Sequence, residues 1–134
     1  MQGISSKGMY ALSAMHVLVH APNLQSMQAK EMASMIDVSA AYLEQILSQL
    51  KKSGILSSIR GAQGGFKFAK DIDDIYVIDI LKAVEDRLFA SKPYGNQTAI
   101  IASFWKDMQE KTEALFHIKL TELDRAYQPL MYEI

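Results

Sequence analysis

A glycine-rich segment at residues 60–65 limits the folds that are open to this chain. It has the order Arg-Gly-Ala-Gln-Gly-Gly and lies between two short β-prone runs, 55–59 and 66–69. Because glycine adopts positive φ and lets a backbone approach a partner closely, this composition is typical of a hairpin tip. The segment does not separate a strand from a helix, so it is not a nucleotide-binding loop. The pattern predicts one exposed hairpin with Arg60 at its tip.

Three helical patterns precede the hairpin, and the third has two contrasting faces. The first covers residues 9–21 after a serine pair that can cap it, the second covers 29–36, and the third runs from about 40 to 53. Ser39 suits the N-cap of the third helix, and Gly54 suits the left-handed position after its end. Its apolar stripe consists of Leu43, Ile46, Leu47 and Leu50. The polar residues lie on the opposite side, so one face is predicted to be buried and the other exposed.

The second half of the chain is also helical. A short helix is predicted over 77–85, followed by a loop at 89–97 that contains proline, glycine and asparagine. From about Thr98, apolar residues recur at spacings of three and four. This spacing predicts one long helix over about 98–128.

The predicted fold class is therefore mainly α with a small β wing. We expect a winged helix-turn-helix domain over residues 1–85, a loop over 86–97, and a dimerisation helix with a C-terminal tail over 98–134. In this layout the second helix of the pair enters the major groove of DNA. A wing arginine suits the narrow and negative minor groove.

Composition excludes several classes of function. The chain has 134 residues and no cysteine, so disulfides, thiol catalysis and cysteine-ligated zinc are absent. No paired carboxylates, serine–histidine–aspartate arrangement or phosphate loop points to an enzyme. We expect no cofactor. Neither a membrane-spanning run nor a signal peptide is evident, so we expect a cytoplasmic protein with no membrane partner.

The charge is distributed unevenly along the chain. Residues 1–70 carry seven basic and three acidic side chains, whereas residues 71–134 carry seven basic and twelve acidic ones. The net charge of −1 hides this asymmetry. A basic half is consistent with a surface that faces a polyanion, although random variation in surface charge gives the same pattern.

Several segments, in order, resemble one family of bacterial regulators. They are residues 4–12, 39–47, 50–56, 58–66 and 80–85. Each is similar to the corresponding segment of the winged-helix transcription regulators typified by IscR, NsrR and CymR. The resemblance spans nearly the whole chain and implies a homodimer that binds double-stranded DNA. It also implies a member without an iron–sulfur cluster, because the loop that holds three cysteines in cluster-binding members has none here.

The predicted contact residues come from the helix-and-wing pattern and from the family resemblance. The resemblance places Ser39, Ala41 and Glu44 at base-reading positions and Arg60 at the minor-groove position. The full predicted DNA-contacting set is Ser39, Ala41, Tyr42, Glu44, Gln45, Ser48, Lys52, Arg60, Gly61 and Gln63. The predicted dimerisation set is Ile101, Phe104, Trp105, Met108 and Phe116.

His16 and His20 are the one pair with a spacing typical of metal ligands. At i and i+4 on the first helix they can face one point, opposite the apolar stripe. The sequence identifies no third ligand, so a metal site and an ordinary polar surface both stay open. The eight methionines are interpreted as flexible core residues.

The predicted function is sequence-specific regulation of transcription, with repression as the expected outcome, by a homodimer on a near-palindromic operator. A small-molecule or protein effector is expected to act at the junction of the 89–97 loop, the first helix and the long helix. The alternative is a dimeric protein-interaction module that has lost affinity for DNA. The modest basic excess of the first half keeps that alternative open.

Overall fold

The structure, a computed structural model, describes residues 4–62, 64–86, 88 and 97–128. Its helices and strands follow the predicted order. They are α1 (Ser6–Val19), α2 (Ala29–Ile36), α3 (Ala40–Lys52), β1 (Leu56–Ile59), β2 (Gly65–Phe68), α4 (Val77–Val84), α5 (Ala99–Leu115) and α6 (Leu123–Tyr127). Single 3-10 turns cover Pro22–Leu24, Ile72–Asp74 and Leu120–Glu122. In the described part of the chain, no helix has both the length and the hydropathy that a membrane span needs.

The predicted fold class is confirmed: helices dominate, and the sheet is a two-stranded antiparallel hairpin. The core lies between α1, α2, α3 and α4. Its large, fully enclosed side chains are Met15, Leu18, Met32, Leu43, Ile46, Leu47, Leu50, Leu56, Ile75, Ile80, Leu81 and Leu120. All four members of the predicted α3 stripe are in this set, so the apolar periodicity identified the buried face correctly.

The turn between α2 and α3 forms as the sequence predicts. Asp37 ends α2 in the left-handed conformation, and its backbone N–H donates to the carbonyl of Ala33. Ser39 caps α3, because its Oγ accepts a hydrogen bond from the backbone N–H of Tyr42 at 3.2 Å. Gly54 follows the end of α3 with φ +86°. These two caps fix where α3 begins and ends.

The wing, β1 and β2 with their connecting turn, is anchored to the body of the domain. Ile59 pairs with Gly65 near the tip, and Leu56 pairs with Phe68 at the base. Phe66 also pairs with Met27: each backbone N–H donates to the other's carbonyl, at 2.8 and 3.0 Å. The segment before α2 therefore extends the hairpin by one short bridge and holds it against the helices.

The long C-terminal helix is not continuous, which corrects the expectation of one helix over about 98–128. α5 ends at Leu115, and residues 116–119 leave the helix before the 3-10 turn. The carbonyls of Phe116 and Ile118 accept hydrogen bonds from the N–H groups of Ile78 and Val77, at 3.0 and 2.8 Å. Since the first N–H groups of a helix lack partners within it, the break supplies acceptors to the start of α4.

Gly65 allows us to test how the wing is held. A Cβ at this position would lie 2.3 Å from the carbonyl oxygen of Met27, and its φ is +147°. Both effects oppose any side chain, so Gly65→Ala should reduce the free energy of unfolding by about 2–5 kcal/mol. Urea unfolding followed by circular dichroism measures this change.

Gly54→Ala is the matched control. Gly54 also has positive φ, but a Cβ there would meet nothing within 4 Å. Backbone strain alone should then cost about 1–2 kcal/mol. Equal losses for the two variants would contradict the close approach of the wing to Met27.

Candidate nucleic-acid interface

The surface that carries most of the predicted contacts is the outer face of α3. Its exposed residues are Ala41, Glu44, Gln45, Ser48 and Lys52. They recur at the helical period, opposite the buried stripe. The surface therefore presents a carboxylate, an amide, a hydroxyl and an ammonium group along one line, with a small residue near the start of the helix.

Both ends of α3 are held in place. At the N-terminal end, the Tyr42 ring packs edge-on against Tyr10 of α1, with ring centroids 5.9 Å apart. Tyr42 is consequently half-buried, unlike the other predicted contacts on this helix. At the C-terminal end, Lys51 Nζ donates to Ser58 Oγ of β1 at 2.8 Å. These contacts join the helix to its neighbours on the α1 side and the wing side.

The wing lies next to this face. Arg60 and Gly61 are exposed at the turn that follows β1, and Gly61 has φ +109°. A cavity of about 340 Å³ separates the turn from α3 and is lined by residues that include Lys30, Glu44, Gly61 and Gly64. Gln63, also predicted to contact DNA, lies outside the described residues.

The structure adds two lysines that the motif analysis did not include. Lys7, at the start of α1, lines a cavity of about 410 Å³ together with Gln45, Ser48 and Lys52. Lys30 lines the cavity on the wing side of α3. Lys7 lies in the 4–12 segment that carries the family resemblance and Lys30 lies outside such segments, but neither is in the predicted contact set. The packing of α1 and α2 against α3 brings both lysines to this surface. Cationic side chains therefore flank the polar face on both sides.

A second polar cluster brings the two predicted metal-ligand candidates together with a third residue. Nε2 of His16 and Nε2 of His20 each lie 2.7 Å from an oxygen of Asp124 in α6. Each Nε2–H donates to one carboxylate oxygen. The hydrogen bond from His16 lowers the pKa of Asp124 below its ordinary value of 3.8, partial burial opposes this, and His20 reinforces it.

The predicted dimerisation residues lie mainly on one face of α5. Ile101, Phe104 and Trp105 are 45%, 49% and 41% exposed, and Met108 is half-buried. No residue of α5 is buried in the single chain. Phe116 differs, because it follows the end of the helix and packs within the chain on the cluster of Val77, Ile78 and Leu81.

Two helices are joined by a tight turn, and the outer face of the second helix is exposed beside a β-hairpin. This arrangement is a winged helix-turn-helix, the layout in which the second helix can enter the major groove of DNA. The sequence profile of the Rrf2 family, described as an iron-dependent transcriptional regulator, matches residues 4–126. The chain belongs to the Rrf2 family.

Individual relatives agree with this assignment. The chain is 31% identical over 128 residues to the HTH-type transcriptional regulator IscR of Xenorhabdus nematophila, covering 90% of this chain and 77% of that protein. The structure is similar to that of CymR, the global cysteine regulator of B. subtilis, with a TM-score of 0.81 and 27% identity. The match covers 94% of this chain and 98% of the CymR chain. It is also similar to T. potens IscR, with a TM-score of 0.75 and 29% identity, over 93% of this chain and 88% of that chain.

The residues of this chain do not fit a thiolate-ligated iron–sulfur cluster. Such clusters are held by cysteine thiolates, and the sequence contains no cysteine. The described donor set that could hold a metal ion is instead His16, His20 and Asp124. Any metal site of this chain must therefore be built without thiolate ligands.

The N-cap of α3 gives a direct test of how the exposed face is positioned. Ser39→Ala removes the Oγ that accepts a hydrogen bond from the Tyr42 N–H and should reduce the free energy of unfolding by about 1 kcal/mol. Ser39→Asp keeps an acceptor at the same place and should retain most of the stability. Thermal and urea unfolding of the three proteins makes the comparison. The cap assignment fails if the alanine variant is as stable as the wild type.

Proposed function

We propose that this regulator is a cytoplasmic homodimer that binds a near-palindromic operator and represses transcription from it. Helix α3 enters the major groove, and the wing places Arg60 in the adjacent minor groove. The observation that carries the proposal is the division of α3 into a fully buried apolar face and an exposed polar face beside the wing. Polar residues cover the solvent face of many amphipathic helices, so the support comes from the position of this face beside the wing and between Lys7 and Lys30.

The chemistry of the exposed face suits base recognition. Gln45 can donate to and accept from adenine, and Glu44 can accept a hydrogen bond from the cytosine amino group. Ser48 can pair with several base edges or with phosphate. Ala41 leaves room for a thymine methyl group. These groups supply discrimination between sequences, whereas the cations around them supply affinity.

Lysines flank the recognition face where the phosphate backbones would lie. Lys7 and Lys52 lie on one side of α3, and Lys30 lies on the wing side. Contacts to phosphate fix the orientation of a protein on the duplex without reading its sequence. Each such contact releases counterions, so operator affinity should decrease steeply as salt increases. The local arrangement of cations explains how a chain with net charge −1 can bind DNA.

The apolar face of α5 supports a homodimer. The helix has 17 residues and buries none of them in one chain, although Ile101, Phe104 and Trp105 lie on one side. An amphipathic helix gains most of its stability from packing its apolar face, so α5 needs a partner. Aromatic residues are enriched in protein interfaces. A second copy of the same face, related by a two-fold axis, covers this stripe and pairs two recognition helices.

The signal is proposed to be a small molecule or a protein rather than a thiolate-bound cluster. The 89–97 loop, where the effector was expected, lies outside the described residues except for Gln97. Among the described residues, a cleft between α4 and the C-terminal part of α5 has a volume of about 490 Å³ and is lined by Ile78, Lys82, Glu110, Glu113, Ala114 and His117. A ligand that favours one arrangement of α5 over another would change operator affinity.

Arg60→Ala tests the placement of the wing. Removing a minor-groove arginine should weaken operator binding by about 1–3 kcal/mol and relax specificity at the bases beneath the wing. Arg125→Ala removes an exposed arginine of α6, outside the α3–wing surface, and should bind like the wild type. Fluorescence anisotropy at two salt concentrations measures both variants. Equal affinity of Arg60→Ala and wild type would show that the wing does not contact the operator.

Ile101→Glu tests the dimer interface. A carboxylate within the apolar stripe should separate the subunits, because a buried and unpaired charge is strongly unfavourable. Ser103→Glu adds the same charge on the opposite, exposed face of α5 and should leave the dimer intact. Light scattering coupled to size-exclusion chromatography gives the mass in solution. A wild-type chain that elutes as a folded monomer of 15.0 kDa would contradict the proposed dimer.

A further inference from the structure

The cluster of His16, His20 and Asp124 has the arrangement of a three-ligand metal site. The two imidazoles lie one turn apart on α1, and Asp124 reaches them from α6. One ligand atom from each residue lies within 4.8 Å of the other two. Both Nε2 atoms point to the same carboxylate, so a single ion between them would meet all three donors.

The donors define the class of ion. Two imidazole nitrogens and one carboxylate oxygen suit first-row divalent ions such as Zn²⁺, Co²⁺ and Fe²⁺, whereas Mg²⁺ and Ca²⁺ prefer sites built entirely from oxygen. Bonds of about 2.0–2.2 Å to one ion place neighbouring donors about 3.0–3.5 Å apart. Each imidazole, now 2.7 Å from Asp124, would therefore move outward by a few tenths of an ångström when an ion binds. The side chains are 44%, 57% and 46% exposed, so water can occupy the remaining coordination positions.

Metal binding requires a change of tautomer in the two rings and a small separation of the imidazoles from the carboxylate. Each Nε2 now bears a proton, which it donates to Asp124. A neutral imidazole can carry that proton on Nδ1 instead, and its Nε2 lone pair is then free to bind the ion. Asp124 accepts both hydrogen bonds as a carboxylate, so it can act as an oxygen ligand without losing a proton.

Hydrogen bonding between the helices explains this cluster less well than metal binding does. Ion pairs between half-exposed side chains contribute little to stability. One imidazole hydrogen-bonded to Asp124 would already join α6 to α1, so the second imidazole is not needed for that contact. An ion coordinated by all three residues would join the two helices more firmly, because binding to the folded state alone stabilises that state.

We propose that His16, His20 and Asp124 bind one first-row divalent transition-metal ion per chain and that this ion locks α6 onto the C-terminal end of α1. The end of α1 leads through residues 22–26 to Met27, which pairs with the wing. The ion would therefore fix the segment that anchors the wing. This effect on operator binding rests on the proposed function, whereas the metal site itself does not.

The test uses the untagged full-length chain after treatment with a chelator and in the absence of DNA. Titration with Zn²⁺ in a calorimeter should give one ion per chain, and Co²⁺ should give visible absorption bands that Zn²⁺ removes. Zn²⁺ should also raise the Tm and slow hydrogen exchange of the α6 amides. Mg²⁺ at the same concentration should do neither.

Variants locate the site. Asp124→Asn and His16→Ala should abolish one-to-one binding, and circular dichroism should show that both remain folded, since they alter half-exposed side chains. His117→Ala is the control, because His117 is the third histidine and stacks on Tyr76 outside the cluster. It should bind Zn²⁺ like the wild type. The proposal is overturned if the wild type binds no Zn²⁺ or if Asp124→Asn binds it equally well. Because DNA is absent, neither result bears on operator recognition.

Discussion

The burial of one face of α3 is the interaction on which the rest of the structure depends. Leu43, Ile46, Leu47 and Leu50 are fully enclosed, and together they set the rotation of the helix about its axis. Truncating one such residue to alanine typically costs about 2–5 kcal/mol, a large part of the stability of a small domain. With that rotation fixed, the residues one half-turn away must face solvent. The recognition surface is therefore a consequence of core packing.

A second constraint joins the C-terminal region to this core. The first N–H groups of α4 need acceptors, and residues 116–118 supply two of them. Leu120 then enters the main core, and Leu123 packs beside it. The chain returns to α1 at this point, which brings Asp124 to the two histidines. α5 leads into these anchors with its apolar face uncovered, so the C-terminal end of the proposed dimer helix is connected to the DNA-binding domain.

Much of the fold could be predicted because its signals are local. The bounds of α2, the Ser39 cap, the buried stripe of α3 and the glycine-rich hairpin all follow from short-range patterns. The break after Leu115 could not be predicted, because it depends on hydrogen bonds to α4, which lies about forty residues earlier in the sequence. The cations Lys7 and Lys30, and Asp124 beside the histidines, were missed for the same reason. Spacing reveals which residues share a helix face but not which distant residue meets them.

The central claim is that the outer face of α3 and the wing, paired across a two-fold axis, read a DNA sequence. Selection of bound duplexes from a random pool by the purified wild-type protein tests it most directly. The account predicts an enriched, near-palindromic motif whose half-sites lie one helical turn, about 10 base pairs, or a multiple of a turn apart. The same selection with Gln45→Ala should change the preferred base within each half-site. Recovery of no enriched sequence, or of one that is unaffected by the substitution and lacks two-fold symmetry, would contradict the account.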